Sequence, residues 1–201
     1  MCVRKAALSA LIALASITAV ATAPKVSPQQ ADAFARKLAI ISAQSTMTAR
    51  AATARRTSVS EDEVNSWFAY RAQPMLPDGV TQPQLTIIGN GKVAGMVTVD
   101  LDAIAKQKRT SGILNPWNLI GGRVPVVVSG VLRTQNGRGQ FDVEDATVSG
   151  LPVPTSLVQE LVSHYSRTAE DPDGIRLADP FELPAHIRQI EVGQGQAVVI
   201  Q

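Results

Sequence analysis

Cysteine is almost absent: of 201 residues only Cys2 carries a thiol. It precedes an apolar run rather than following one, so it is not placed to carry a lipid, and processing of the leader would remove it. Disulfides, thiol catalysis and thiolate metal sites are thereby excluded from the mature chain. Aromatic residues are scarce at 4%, which argues against a surface that stacks bases or sugar rings. Only two histidines are present, and proton transfer near neutral pH would have to be built around them. His164 lies in a helical pattern and His186 beside Pro184 in a turn; neither has a partner at metal-ligand spacing. There is no G-x-S-x-G nucleophile elbow and no G-x-G-x-x-G helix start. Long hydrophobic runs are also missing. The longest, residues 6–20, is 15 residues, short of the roughly 20 needed to span hydrocarbon.

That short run has a different use. Arg4 and Lys5 precede it and small residues follow it, the layout of a secretory signal. Cleavage is placed after Ala21, with Ala19 and Ala21 as the small pair, because cleavage after Ala23 would put Pro24 on the far side. The remaining 180 residues suffice for one domain held together by burial alone. The expectation is an exported protein, periplasmic or extracellular.

Net charge is small. The chain has 19 basic and 17 acidic residues, and removing Arg4 and Lys5 leaves 17 of each. The distribution is uneven. Residues 24–56 hold six basic side chains against Asp32, whereas residues 140–182 hold nine acids against Arg167 and Arg176. The basic end suits anionic lipid headgroups at a membrane surface, or is an ordinary solvated helix face. Nucleic acid is not expected as a partner.

The pattern after the leader divides at residue 58, into an N-terminal helix or linker (22–58) and a single α+β domain (59–201). A long helix is expected from Ser27 to about Arg56, with Phe34, Leu38 and Ile41 on one face and a stripe that dissolves beyond Ile41. Thr57-Ser58-Val59 reads as a break. Ser60-Glu61-Asp62-Glu63 has the S-x-x-E spacing of a capping box and opens a second helix, carrying Val64, Trp67 and Phe68, that ends before Pro74. From Val80 the period changes to two. Strands are expected on either side of Gly89-Asn90-Gly91, from Arg123 to Arg133, from Gln140 to Ser149 and on either side of Gly193-Gln194-Gly195. A short helix capped by Asp100 is expected over 101–108, followed by a loop rich in apolar side chains at 109–121. Phe141 and Val143 share a parity that Ala146 and Val148 reverse, which predicts a bulge near Glu144-Asp145. Pro154 opens a third helix, with Leu157, Leu161 and Tyr165 at four-residue spacing.

"IIGNGKVAG" decides between an enzyme and a fold element. A phosphate-cradling loop needs a helix after its glycines and Ser or Thr after its lysine. Here Lys92-Val93-Ala94-Gly95 continues as an alternating strand, and Asn-Gly supplies the positive φ angles of a tight hairpin. A turn is expected. The carboxylates Asp142, Glu144 and Asp145 share one strand, and Glu170, Asp171 and Asp173 share a loop. Glycoside hydrolysis requires two carboxylates facing each other across a cleft, and nothing in the sequence sets these groups face to face. A type I turn accounts for Asp171-Pro172-Asp173-Gly174 without calcium.

No cofactor, metal or catalytic residue is therefore assigned. The side chains left over are apolar: Trp67 and Phe68 on one helix, Ile113, Leu114 and Trp117 in a loop, and Leu157 and Leu161 on another helix. They form either an ordinary core or one wall of an apolar groove between helices and a curved antiparallel sheet of glycine-turned hairpins. The segments "VSEDEVNSWFAY", "KVAGMVTVDLDAI", "RVPVVVSGVLRTQNGRGQFDVEDATVSGLPVP" and "PFELPAHIRQIEVGQGQAVVIQ" resemble small bacterial envelope proteins related to the tubular lipid-binding superfamily, over about residues 59–201. The resemblance implies a bent sheet wrapping a helix and holding acyl chains. A single module implies an open groove rather than a closed tunnel. The expected function is non-enzymatic binding of a lipid or lipid-like molecule. The alternative is an envelope scaffold or assembly protein that buries the same surface against a protein partner.

Overall fold

A computed structural model of the chain describes residues 25–43, 55–100, 102, 122–165, 172–174, 176 and 178–201. The signal segment, Ile113, Leu114, Trp117 and most of the expected 101–108 helix lie outside these residues, as do the side chains of Leu161, His164 and Tyr165. Helices and antiparallel sheets share the described chain, which is an α+β protein.

Helix α1 spans Pro28–Ala43, strand β1 Arg56–Ser60 and helix α2 Glu61–Tyr70. β2 (Val80–Gly89) pairs with β3 (Lys92–Asp100), which pairs with β4 (Arg123–Gln135), then β5 (Arg138–Val148) and the two-residue β6 (Leu151–Pro152). Helix α3 covers Thr155–Tyr165. β7 (Phe181–Glu182) adds to β5, while β8 (Gln189–Gly193) and β9 (Gln196–Ile200) form a second sheet in the order β1-β9-β8.

The turns follow from their residues. Asn90-Gly91 (φ 53° and 83°) joins β2 to β3, Asn136-Gly137 (52° and 79°) joins β4 to β5, and Ser149-Gly150 (52° and 78°) joins β5 to β6. Paired positive φ angles give the type I′ geometry that matches strand twist, so "IIGNGKVAG" is a hairpin. The bulge also lies where the parity switch puts it. Ser129 pairs with Asp145 and Gly130 with Val143, leaving Glu144 as the extra residue.

Helix α2 begins at the capping box. Ser60 Oγ accepts the Glu63 N–H at 3.2 Å, and Glu63 Oε2 accepts the Ser60 N–H at 2.9 Å. Helix α1 packs along α2, with Ala31 and Ser66 both 0% exposed, so small side chains let the two backbones approach. The Ser66 hydroxyl lies 2.6 Å from the Asp62 carbonyl oxygen, to which it donates, and accepts the Ser27 N–H at 3.0 Å. Lys37 bridges to Glu63 at 2.6 Å, so part of the basic N-terminal charge serves helix docking, and Asp32, the acid of that segment, pairs with Arg71.

Two expectations are corrected. The N-terminal helix does not run to Arg56, and Thr57-Ser58-Val59 is not a break. Arg56 to Ser60 form β1, paired in register with β9 from Arg56↔Ile200 to Ser60↔Gln196. With one apolar residue in five, the segment carries no strand signal of its own, and its backbone is ordered by a partner far along the chain. Asp100 closes β3, where its carboxylate lies 3.4 Å from Arg123 Nε.

Candidate functional site: an apolar sheet face

Strand register assigns every side chain of the large sheet to one of two faces, because directly paired residues share a face and the period along a strand is two. One face carries the rows Val99-Val124, Val97-Val126-Val148-Leu151, Leu85-Gly95-Val128-Ala146 and Ile87-Val93-Gly130-Val143, followed by Leu132-Phe141 and Thr134-Gly139. No charged residue appears in these rows. The opposite face collects Lys92, Asp100, Arg123, Arg133, Asp142 and Asp145, with Thr86, Thr98, Ser129, Gln140 and Thr147.

Other elements reach the apolar face from its margins. Helix α2 sits at the outer edge of β2. The Asn65 side chain, 3% exposed, donates from Nδ2 to the Leu85 carbonyl and accepts the Leu85 N–H at Oδ1, both at 2.7 Å. Glu61 Oε2 accepts the Ile87 N–H at 2.6 Å, and the Ile87 carbonyl accepts from Gly195 N at 2.8 Å. An edge strand that would otherwise offer open backbone groups is thus closed by side chains of one helix and a turn of the second sheet. At the hairpin-turn end, Thr134 Oγ1 donates to the Ile190 carbonyl at 2.9 Å and accepts the Ile190 N–H at 2.8 Å, which brings β8 over that end of the apolar face. Helix α3 packs against β5 at the other margin.

Between these margins lies β3. It is an interior strand, yet all nine of its residues are half-buried and none is buried. Among the described elements only β2 and β4 pack extensively along it. On the apolar face Ile87, Val124 and Ala146 are buried, while Val93, Val97, Val99, Val126 and Val128 remain half-buried.

Of the residues singled out from the sequence, Trp67, Phe68 and Leu157 have described side chains. Trp67 and Phe68 are half-buried, and their rings lie 5.8 Å apart. The Trp67 ring also meets the edge of Phe34 from α1 at 5.9 Å and 73°, so it is part of the packing between α1 and α2. Leu157 is half-buried on α3 beside the buried Val158. Sequence reasoning passed over Val93, Val97, Val99, Val126 and Val128. Their period-two spacing was visible, but the register that assembles them into one surface was not.

The polar face is charge-paired. Lys92 Nζ lies 2.6 Å from Glu144 Oε2, Arg133 pairs with Asp142, and Gln140 Nε2 donates to Asp142 Oδ1 at 3.1 Å. The hydrogen bond to Glu144 and its negative charge, with a smaller contribution from Asp145, hold the Lys92 ammonium above its usual pKa against a lesser opposing effect of desolvation. His186 is exposed in a tight turn with Ala185, both at positive φ, closed by Ile187 N–H donating to the Pro184 carbonyl at 3.0 Å. Among the described residues no group of three or more His, Cys, Asp or Glu could hold a metal ion, and no helix is long and apolar enough to cross a membrane. No family model, characterised protein or solved structure matches this chain.

Proposed function

We propose that this is an exported, non-enzymatic protein that binds a lipid or lipid-like apolar molecule against the uncharged face of its large sheet. The observation that carries the reading is β3, an interior strand left half-buried along its whole length, with Val93, Val97 and Val99 beside Val126 and Val128. Apolar surface in contact with water is unfavourable by about 25 cal/mol per Å², so a face of this extent gains from an apolar occupant. Register shifts in β2 between Thr81 and Gln84 and between Ile87 and Gly89, with the β5 bulge at Glu144, are devices that bend strands and support a curved groove rather than a flat plate. Export is supported by Arg4, Lys5 and the apolar run that follows them.

Native mass spectrometry of the gently purified full-length chain tests the reading. Mass adducts that organic extraction identifies as lipid are the expected result. A stoichiometric protein partner in place of lipid would favour the scaffold alternative, and bare protein that takes up no added lipid would overturn the proposal.

A further inference from the structure

Asparagine precedes glycine twice in this chain, at Asn90-Gly91 and Asn136-Gly137. Each pair forms the centre of a type I′ turn, and both asparagines are exposed. Glycine places no Cβ beside its own nitrogen, so that nitrogen can reach the side-chain carbonyl carbon of the residue before it. Attack forms an N–Cγ bond and breaks the Cγ–Nδ2 bond, and the proton of the attacking nitrogen leaves with the amide as ammonia. Water then opens the succinimide ring at one of its two carbonyls. The net change is asparagine and water to ammonia and either aspartate or isoaspartate.

The five-membered ring needs the glycine nitrogen beside the asparagine Cβ, which the left-handed torsions of a I′ turn do not provide. Each turn therefore has to open before it reacts, and the rate follows how firmly the glycine N–H is held. The two turns differ there. Gly137 is clamped by the segment before β8: its N–H donates to the Arg188 carbonyl at 2.9 Å, and its carbonyl accepts the Leu183 N–H at 2.8 Å. The Arg188 N–H donates in turn to the Ile200 carbonyl at 2.7 Å, so this clamp is anchored in the second sheet. The Gly91 N–H lies 3.4 Å from the Val192 carbonyl, beyond the roughly 2.7–3.2 Å of a well-formed bond. Asn90 also follows Gly89, at φ 113°, which gives the chain ahead of it a torsional freedom that Gln135 does not give Asn136.

We propose that Asn90 is a self-modification site that converts to aspartate and isoaspartate, and that residues 183–188 protect Asn136 from the same reaction. The inference does not depend on what the apolar face binds. Asn90 lies where the β2–β3 turn meets the β8–β9 turn. Gly195 N–H donates to the Ile87 carbonyl at 2.8 Å, and Glu61 N–H donates to the Gly195 carbonyl at 2.9 Å, so large sheet, second sheet and α2 join at this point. Aspartate keeps the turn, because Asp-Gly suits the I′ geometry as Asn-Gly does. Isoaspartate routes the main chain through its Cβ and lengthens it by one atom, which a two-residue turn does not accommodate. Its formation loosens the junction of the two sheets.

The test ages the full chain at mildly alkaline pH and follows both sites by peptide mapping with mass spectrometry, with protein-isoaspartate methyltransferase scoring isoaspartate. Asn90 is expected to convert at least about fivefold faster than Asn136, the factor equivalent to one hydrogen bond of about 1 kcal/mol. In chain unfolded by urea, where no clamp exists, the two sites should convert at similar rates. Hydrogen exchange at the Gly195 amide should quicken in the isoaspartate form and stay unchanged in Asn90→Asp. Equal rates at the two sites of the folded chain, or a faster Asn136, would overturn the proposal, as would a folded chain in which neither site reacts while both react in urea. Isoaspartate at position 90 with the Gly195 amide still protected would overturn the effect on the junction.

Discussion

Replacing Asn65 by alanine should detach α2 from the edge of the large sheet. Asn65 is buried, and its amide makes two hydrogen bonds of 2.7 Å to the backbone of Leu85. Each bond contributes about 0.5–1.5 kcal/mol net, and a buried donor or acceptor left without a partner costs about 1–3 kcal/mol. Alanine recovers about half a kcal/mol through its better helix propensity. Leu85 is half-buried, so water can satisfy part of what is lost. The expected destabilisation is about 2–4 kcal/mol, which for a chain of this size lowers Tm by about 5–15 °C. Thermal unfolding followed by circular dichroism measures the shift, and native-state hydrogen exchange should show the Leu85 amide losing protection before the amides of β4. A destabilisation under about 1 kcal/mol, with Leu85 still protected, would show that the edge is closed without Asn65 and that the side-chain clamp does not join helix to sheet.

Gly139→Ala should destabilise by about 1–3 kcal/mol through overpacking, since the new methyl meets the Phe181 ring and Leu183; denaturant unfolding reads it, and Phe181→Leu in the same chain should relieve part of the loss. In a double-mutant cycle Phe34→Ala and Trp67→Ala should couple by about 0.5–1.5 kcal/mol from their edge-on contact, and fatty-acid binding should fall no further than the folded fraction does; a selective loss of binding in Trp67→Ala would instead place its ring in the groove. Lys92 is held above its usual pKa by Glu144, so its contribution is fully present below the unfolded-state pKa and fades only as pH rises through the raised folded value. Lys92→Met should therefore leave Tm nearly unchanged at neutral pH, as exposed pairs are worth little, and any difference from wild type should shrink in strongly alkaline solution; a gap that widens there would refute the assignment of the pair.

Elements whose cause lies within a few residues were readable in advance. The capping box at Ser60 and Glu63, the Asn90-Gly91 and Asn136-Gly137 turns, the start of α3 after Pro154 and the bulge at Glu144 are each set by local φ preference, local hydrogen bonding or side-chain parity. β1 was not readable, because Arg56 to Ser60 becomes a strand through pairing with Gln196 to Ile200. The role of Asn65 was hidden for the same reason: a polar residue on the inner side of a helix looks like a defect until the edge of β2 is placed against it. Trp67 and Phe68 drew attention by size, and large rings report that something packs there without saying what.

By itself the sequence determined the alternating strands, their tight turns and the single thiol at Cys2, since these depend on residue chemistry and on torsions spanning a handful of positions. Only the tertiary structure decided that the valines of β3 and β4 lie in one uncharged surface, that the Asp142 carbonyl and the Phe141 ring crowd Gly130, and that the Phe181 ring fills the space over Gly139. Alternation specifies which side of a strand is apolar; whether anything covers that side depends on strand register and on elements distant in the chain.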